Sequence, residues 1–172
     1  FMDRMSRPTE AEQFEAYATV AKAMNGREVI IRTLDIGGDK EIPYLEIEKE
    51  DNPFLGHRAI RYCLDHPDLF CDQIRAILRA AKFGDLKLML PLITCKEEIL
   101  AAKKLIEQCL RELIEAGEDV HPVPVGIMVE TPAAALTAAE LAKESDFFSI
   151  GTNDLTGYVT VSYTHLRAHE TS

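Results

Sequence analysis

Short apolar runs that alternate with longer amphipathic stretches constrain the fold of this chain more than any other feature. Four runs have the length and the Val, Ile and Leu content of buried strands, at about residues 28–33, 86–90, 124–129 and 146–150. Apolar residues at helical spacing fill most of the sequence between them. The alternation predicts an α/β fold with a parallel sheet. Because a complete (β/α)₈ barrel needs about 250 residues, we expect roughly its middle half here.

Capping boxes, prolines at first helical positions and glycines at helix ends predict four helices between these strands. They run from the Thr9–Glu12 box to Asn25-Gly26, from Pro67 to about Ala81, from the Thr94–Glu97 box to Gly117, and from Pro132 to about Lys143. The adjacent glycines at 37 and 38 indicate a turn. The acidic stretch from Glu41 to Asp51 indicates a solvated loop or hairpin.

Composition excludes several classes of function. The chain of 172 residues carries 19 basic and 29 acidic residues, for a net charge of −10, which argues against nucleic-acid and anionic-membrane partners. No apolar run approaches the roughly 18 residues of a membrane span. The four cysteines lack zinc-binding spacing and are expected to be free thiols in a reducing cytosol.

Acidic residues follow the last two predicted strands at their carboxyl ends. Glu130 follows the run at 124–129, and Asp154 follows the run at 146–150. Neighbouring strands lie roughly 5 Å apart and end at one edge of a parallel sheet, so we expect the two carboxylates to share a hard cation such as Mg²⁺. A helix N-cap or a solvated loop residue is the alternative for each acid. Thr131 already supplies a cap beside Glu130, however, which leaves Glu130 with no predicted structural partner.

Four segments, in order, resemble the signatures of the phosphoenolpyruvate-utilising enzymes. They read RTLDIGGDK from Arg32 to Lys40, NPFLGHRAIR from Asn52 to Arg61, VGIMVETPAAA from Val125 to Ala135, and DFFSIGTNDLT from Asp146 to Thr156. Together they are similar to the enzyme I family of the bacterial sugar phosphotransferase system. The resemblance implies that residues 1–157 form part of a phosphoenolpyruvate-binding TIM (β/α)₈ barrel.

The resemblance also implies roles for individual side chains. Arg32 and Arg58 match arginines that contact the phosphate, and a guanidinium presents a planar fork to phosphate oxygens. Glu130 and Asp154 match the Mg²⁺ ligands, and Asp154 and Asn153 are expected at the substrate. Backbone N–H groups around Gly151 to Asn153 are further candidate donors. Lys40 is a weaker candidate for substrate contact. His57 stands where the family usually has Trp, and we interpret it as structural.

The function implied is transfer of a phosphoryl group from phosphoenolpyruvate to a protein histidine for sugar uptake, in the cytoplasm. The partner implied is a histidine phosphocarrier protein, reached through an N-terminal domain that this sequence does not include. No histidine here matches the family's acceptor and no cysteine matches its acid, so no catalytic residue is predicted within the chain. The isolated chain is therefore expected to be inactive. Residues 158–172 depart from the family pattern and are interpreted as a non-native or disordered tail.

Alternative functions use the same residue types. Pyruvate phosphate dikinase and phosphoenolpyruvate synthase share the arginine and GTNDLT motifs, although the DIGGDK segment favours enzyme I. A Mg²⁺-dependent C–C lyase on a similar barrel also uses acids at strand ends, but the motif around Arg58 argues against it. Half a barrel would leave two open sheet edges, at 28–33 and 146–150, so a homodimer or self-association is expected.

Overall fold

Four parallel strands form one sheet whose spatial order follows the chain, β1-β2-β3-β4. The structure is a computed structural model and describes residues 6–36 and 56–160. The strands are β1 (Val29–Arg32), β2 (Leu86–Leu90), β3 (Val125–Val129) and β4 (Phe148–Ile150). All four lie within the ranges predicted from the sequence. Together with their crossover helices they form a partial (β/α)₈ barrel, which confirms the predicted fold class.

Helices connect the strands on the outer side of the sheet. The described α-helices are α1 (Glu10–Ala23), α2 (Ile60–Asp65), α3 (Pro67–Ala80), α4 (Lys96–Glu115), α5 (Pro132–Leu136), α6 (Ala138–Leu141) and α7 (Thr152–Thr160). A 3₁₀ turn at Ala81–Phe83 follows α3. None of the described helices is both long enough and apolar enough to cross a membrane.

The hydrophobic core lies between the sheet and the outer helices. Alternate residues of the two central strands are buried against α3 and α4, namely Leu86, Leu88, Leu90, Val125, Ile127 and Val129. The other face of the sheet is more open, because Ile30 remains 41% exposed there. On this open face the Phe147 ring packs over Gly126. A Cβ at position 126 would lie 2.5 Å from the ring, so only glycine leaves room for the ring there.

The helix boundaries confirm some sequence predictions and correct others. Thr9 and Glu12 form the expected capping box, and Asn25 and Gly26 follow α1 with positive φ. The second box is shifted by one residue, because Glu98 rather than Glu97 accepts from the backbone N–H of Cys95. The predicted alanine-rich helix is broken into α5 and α6 at Thr137, whose hydroxyl donates to the carbonyl of Ala133. Helix α2 was not predicted.

Some predictions fall outside the described residues. These are the turn at 37–38, the contact from Lys40, the loop or hairpin at 41–51 and most of the tail. The boundary between residues 157 and 158 stays a prediction, and α7 extends three residues past it, to Thr160.

Candidate functional site

The carboxyl ends of all four strands meet at one edge of the sheet, and the charged residues singled out from the sequence lie on the segments that follow them. Arg32 is the last residue of β1, and Glu130 follows β3 directly. The sequence predicted Asp154 at the end of β4, but it lies in the first turn of α7. Arg58 precedes α2. Parallel strand polarity thus brings together residues that are far apart in sequence.

Ion pairs join the two arginines through a buried aspartate. Asp35 Oδ1 accepts from Arg58 Nη2 at 3.0 Å, and Asp35 Oδ2 lies 3.3 Å from Arg32 Nη1. Arg58 Nη2 also lies 3.5 Å from Asp154 Oδ2. The side chains of Asp35 and Arg58 are only 6% exposed, whereas that of Arg32 is 41% exposed. The result is a continuous chain of alternating charges from β1 to α7.

Glu130 is buried and has a structural partner, which corrects the expectation from the sequence. Its Oε1 accepts from the backbone N–H of Leu92 at 2.7 Å. Leu92 has φ of 56°, a left-handed conformation that costs about 1–2 kcal/mol for a residue with a branched side chain. Burial raises the pKa of Glu130, the Leu92 N–H opposes that rise, and the charges of Asp154 and Asp35 add to it. The charge of Arg32 lowers the pKa of Glu130, and a bound cation would likewise favour its charged form.

The loop after β2 is tied to the start of α5. Thr131 Oγ1 accepts from the N–H of Ala134 as the helix N-cap, as predicted, and donates to the carbonyl of Ile93 at 2.8 Å. Thr131 and Glu130 therefore anchor two successive residues of that loop, Ile93 and Leu92.

Gly151 leaves room for the Glu130 carboxylate. A Cβ at Gly151 would lie 2.6 Å from the Glu130 Cβ and 2.7 Å from its Oε2. The Gly151 N–H donates to the carbonyl of Val129 at 3.0 Å. It is thus used by the fold and is not a ligand donor, contrary to the prediction. Thr152 and Asn153 follow in the first turn of α7, where N–H groups have no acceptor within the helix.

The electrostatics around Arg58 favour its charged form. Burial disfavours the guanidinium charge, but Asp35 and Asp154 outweigh that cost and the pKa of Arg58 is raised. Tyr158, one turn after Asp154 on α7, also interacts with Arg58. Burial raises the pKa of the Tyr158 phenol, and the charge of Arg58 opposes the rise. Tyr158 therefore remains a neutral phenol at physiological pH.

Two other residues singled out from the sequence lie at the margin of this cluster. Asn153 is exposed on the first turn of α7. His57 precedes Arg58, and its Nε2 lies 2.7 Å from Asp65 Oδ2, so it pairs with the end of α2. The structural interpretation of His57 agrees with that contact.

Sequence reasoning did not assign Asp35, Leu92 or Tyr158 to the site. Asp35 lies inside the RTLDIGGDK segment, and its three-residue spacing from Arg32 was a usable signal. The roles of Leu92 and Tyr158 had no such signal, because one acts through its backbone and the other through a contact across the fold.

A cleft of about 450 Å³ lies at the opposite, amino-terminal edge of the sheet. Its two charged lining residues already serve the fold: Lys87 pairs with Glu28, and Asp146 Oδ2 accepts from the N–H of Val125 at 2.7 Å. The candidate site is therefore the carboxyl edge, where Arg32, Arg58 and Asp154 come together around Asp35.

Within residues 6–36 and 56–160, no group of three or more His, Cys, Asp or Glu side chains is arranged to hold a metal ion. The acids predicted as oxygen ligands both have protein partners: Glu130 Oε1 accepts from the Leu92 N–H, and Asp154 Oδ2 lies 3.5 Å from Arg58 Nη2. Mg²⁺ commonly keeps several waters and is held by one or two carboxylates together with substrate phosphates. The donor set fits a metal ion that is bound jointly with a phosphorylated ligand.

Comparison with known proteins agrees with this geometry. Residues 1–165 match the family model described as PEP-utilising enzyme, PEP-binding domain. Two relatives are named phosphoenolpyruvate-protein phosphotransferase. The one from Bacillus subtilis is 52% identical to this chain and the one from Haemophilus influenzae is 57% identical to it, each over 159 residues. Each alignment covers 92% of this chain but only 28% of the relative. The chain belongs to the family of PEP-utilising enzymes and corresponds to part of their PEP-binding domain.

Proposed function

We propose that this chain is the phosphoenolpyruvate- and Mg²⁺-binding segment of a phosphotransferase that moves a phosphoryl group from phosphoenolpyruvate to a protein histidine. The observation that supports it best is the convergence of Arg32 and Arg58 on one buried aspartate at the carboxyl edge of the sheet. Two guanidinium groups held side by side suit a dianionic phosphate, because each offers a planar fork of donors.

Phosphoryl transfer requires positioning and charge neutralisation more than covalent participation of the protein. Arg32 and Arg58 would bind phosphate oxygens and fix the direction in which the phosphoryl group leaves. Glu130 and Asp154 would hold Mg²⁺, and when bound the ion would neutralise charge on the phosphate and carboxylate of the ligand. Asn153, exposed beside Asp154, is a further candidate substrate contact.

The names of the relatives support the wider assignment. We propose that the phosphoryl group passes to a histidine of another domain and then to a histidine phosphocarrier protein that serves sugar uptake in the cytoplasm. A homodimer is part of the same proposal. With a net charge of −10, this segment is not suited to nucleic-acid binding.

Substitution of the arginines tests the proposed site. In the complete protein that carries this segment, Arg32→Ala or Arg58→Ala is expected to lower phosphoenolpyruvate turnover by about 10² to 10³, the usual loss when one contact to a developing charge is removed. Pyruvate release in the presence of the phosphocarrier protein measures it. Near-normal turnover in both variants would reject the site assignment.

A Mg²⁺ titration tests the carboxylates separately. Glu130→Gln is expected to raise the half-saturating Mg²⁺ concentration, because the variant loses one anionic ligand but keeps an oxygen for the Leu92 N–H. Glu97→Gln is the matched control, since Glu97 lies in the first turn of α4 and is fully exposed. An unchanged Mg²⁺ requirement in Glu130→Gln would exclude Glu130 as a ligand.

A further inference from the structure

Asp35 occupies a position that the proposed function leaves without a role. Its two carboxylate oxygens contact two different guanidinium groups, Oδ1 that of Arg58 at 3.0 Å and Oδ2 that of Arg32 at 3.3 Å. With 6% of its side chain exposed, Asp35 is shielded from solvent. The Asp35–Arg58 pair is buried, so solvent competes little for its hydrogen bond, whereas the Arg32 side chain is 41% exposed.

The backbone around Asp35 is itself anchored on both sides. The Leu34 N–H donates to Gln73 Oε1 of α3 at 2.9 Å, and the Ile36 carbonyl accepts from the Ala59 N–H at 2.9 Å. The second contact joins the loop after β1 to the residue that follows Arg58. Asp35 therefore stands on a fixed segment.

Two effects of Asp35 on an anionic ligand oppose each other. Its negative charge reduces the attraction of the two arginines for phosphate. Against this, immobilising a long, flexible side chain on binding costs conformational entropy, and two neighbouring cations repel each other until a ligand arrives. A carboxylate placed between them removes both penalties in advance. It engages one nitrogen of each guanidinium, and a guanidinium carries five N–H donors.

We infer that Asp35 is a positioning residue that holds the guanidinium groups of Arg32 and Arg58 in the orientation that binds the phosphate of the ligand. The gain in affinity from this positioning outweighs the loss caused by the negative charge of Asp35. The inference rests on the proposed function and deepens it. It assigns to Asp35 an effect on ligand affinity that is exerted only through the two arginines.

The first test compares substitutions at Asp35 in the complete protein. Asp35→Asn is expected to raise the KM for phosphoenolpyruvate about tenfold, with a smaller change in kcat, because an amide cannot hold two cations in place. Asp35→Glu keeps the charge but displaces the carboxylate, so its KM is also expected to rise. An unchanged or lower KM in Asp35→Asn would overturn the inference. An unchanged KM in Asp35→Glu would show that charge alone matters, and would overturn it as well.

A control for the loss of such a bridge is present on the outer helices. Asp72 of α3 also bridges two arginines, with Arg75 Nη2 at 2.7 Å from its Oδ1 and Arg7 at its Oδ2, although its side chain is more exposed than that of Asp35. Asp72→Asn is expected to leave the KM for phosphoenolpyruvate unchanged. A rise equal to that of Asp35→Asn would mean that loss of any such bridge loosens the protein, and would overturn the specific role of Asp35.

A double-mutant cycle separates positioning from general structural damage. If Asp35 acts through the arginines, Asp35→Asn should raise the KM by a smaller factor in an Arg32→Ala background than in the wild type, because only Arg58 is then left to position. Fully additive effects would overturn the inference. Failure of the proposed function looks different: the arginine variants themselves would then leave phosphoenolpyruvate use unchanged. Thermal melts of every variant identify those that have lost the fold, and Asp35→Glu provides the test if Asp35→Asn does not fold.

Discussion

At the scale of single residues, the loops around the site contain residues with positive φ that neighbouring side chains and backbone hold in place. Leu92 and Ala59 have φ of 56° and 51°, and both belong to loops that follow strands or precede a site helix. Each such residue costs free energy unless surrounding contacts compensate. Glu130 supplies one of these contacts through the Leu92 N–H, although burial makes its own charge unfavourable. The acid is thus held in place at a cost to stability.

That cost predicts a pH dependence. Because the pKa of Glu130 is raised, the folded chain still binds a proton at pH values where the unfolded chain has released it, and stability falls as pH rises through this window. Without metal, Glu130→Gln should therefore raise the free energy of unfolding at pH 7. The gain should shrink towards pH 4, near the ordinary glutamate pKa of about 4.3. Urea unfolding in EDTA at several pH values measures it.

Glu97→Gln is the contrasting variant, because its own backbone N–H lowers the pKa of Glu97. A lowered pKa contributes stability above the unfolded pKa that is lost as pH falls, so this variant should lose a little stability at pH 7. A Glu130→Gln variant that is less stable at every pH would contradict the burial argument.

At the scale of elements, contacts with neighbouring elements fix the loops that follow β1 and β2. Thr131 both caps α5 and bonds to the carbonyl of Ile93, so one hydroxyl connects β3, α5 and the loop after β2. Gln73 of α3 similarly holds the exit of β1 through the Leu34 N–H. The positions of Arg32 and Glu130 thus depend on contacts between elements.

Thr131→Ala should destabilise the chain by about 1–3 kcal/mol, because it removes an N-cap and leaves the buried Ile93 carbonyl without its donor. Thr131→Ser keeps the hydroxyl and should lose much less. Chemical unfolding of the two variants gives the comparison. Equal losses would mean that the methyl group, and not the hydroxyl, carries the contribution of Thr131.

At the scale of the whole molecule, the outer layer and the sheet edges differ in how well they are covered. An ion-pair network that includes Glu10, Asp72, Arg75 and Arg79 links α1 to α3 on the outside. Among the described residues, β1 pairs only with β2, and β4 pairs only with β3. On β4, Phe148 is 39% and Ile150 is 69% exposed, although both point to the same face as the buried Ile127 and Val129.

Open edges with apolar side chains predict that the isolated chain self-associates. Ile150→Lys should weaken this association, since a charge at the edge opposes strand pairing. Val20→Lys is the control, because Val20 is an exposed apolar residue of α1 outside the sheet. Light scattering at micromolar concentration distinguishes the cases. A monodisperse wild-type mass near 19.3 kDa would show that the edges are covered.

The isolated chain should also fail to release pyruvate from phosphoenolpyruvate with Mg²⁺. The resemblance places the acceptor histidine and the acid cysteine outside this sequence, and three of the four cysteines present are buried. Burial raises the pKa of the Cys63 thiol to about 12, so it is not poised to exchange a proton at neutral pH. Stoichiometric pyruvate release from the purified chain would contradict this prediction.

The sequence by itself determined the strands, the class of fold and the identity of the charged residues. Apolar runs bounded by polar residues are local signals, so β1 to β4 fell within the predicted ranges. Capping at Thr9 and Thr131 was also predictable, because a cap involves residues only three apart. The helix that breaks at Thr137 was not, since its alanine-rich composition favours a continuous helix and a single hydroxyl-to-carbonyl bond accompanies the break.

Only the tertiary structure decided how the site residues are connected. Asp35 and Arg58 are 23 positions apart, and Glu130 and Leu92 are 38 positions apart, so no local pattern shows that they bond. The same holds for the Gly151 N–H, whose acceptor Val129 belongs to the neighbouring strand. Local sequence selects secondary structure through short-range sterics and hydrogen bonds, whereas the burial, pairing and pKa of a charged group depend on segments that folding alone brings together.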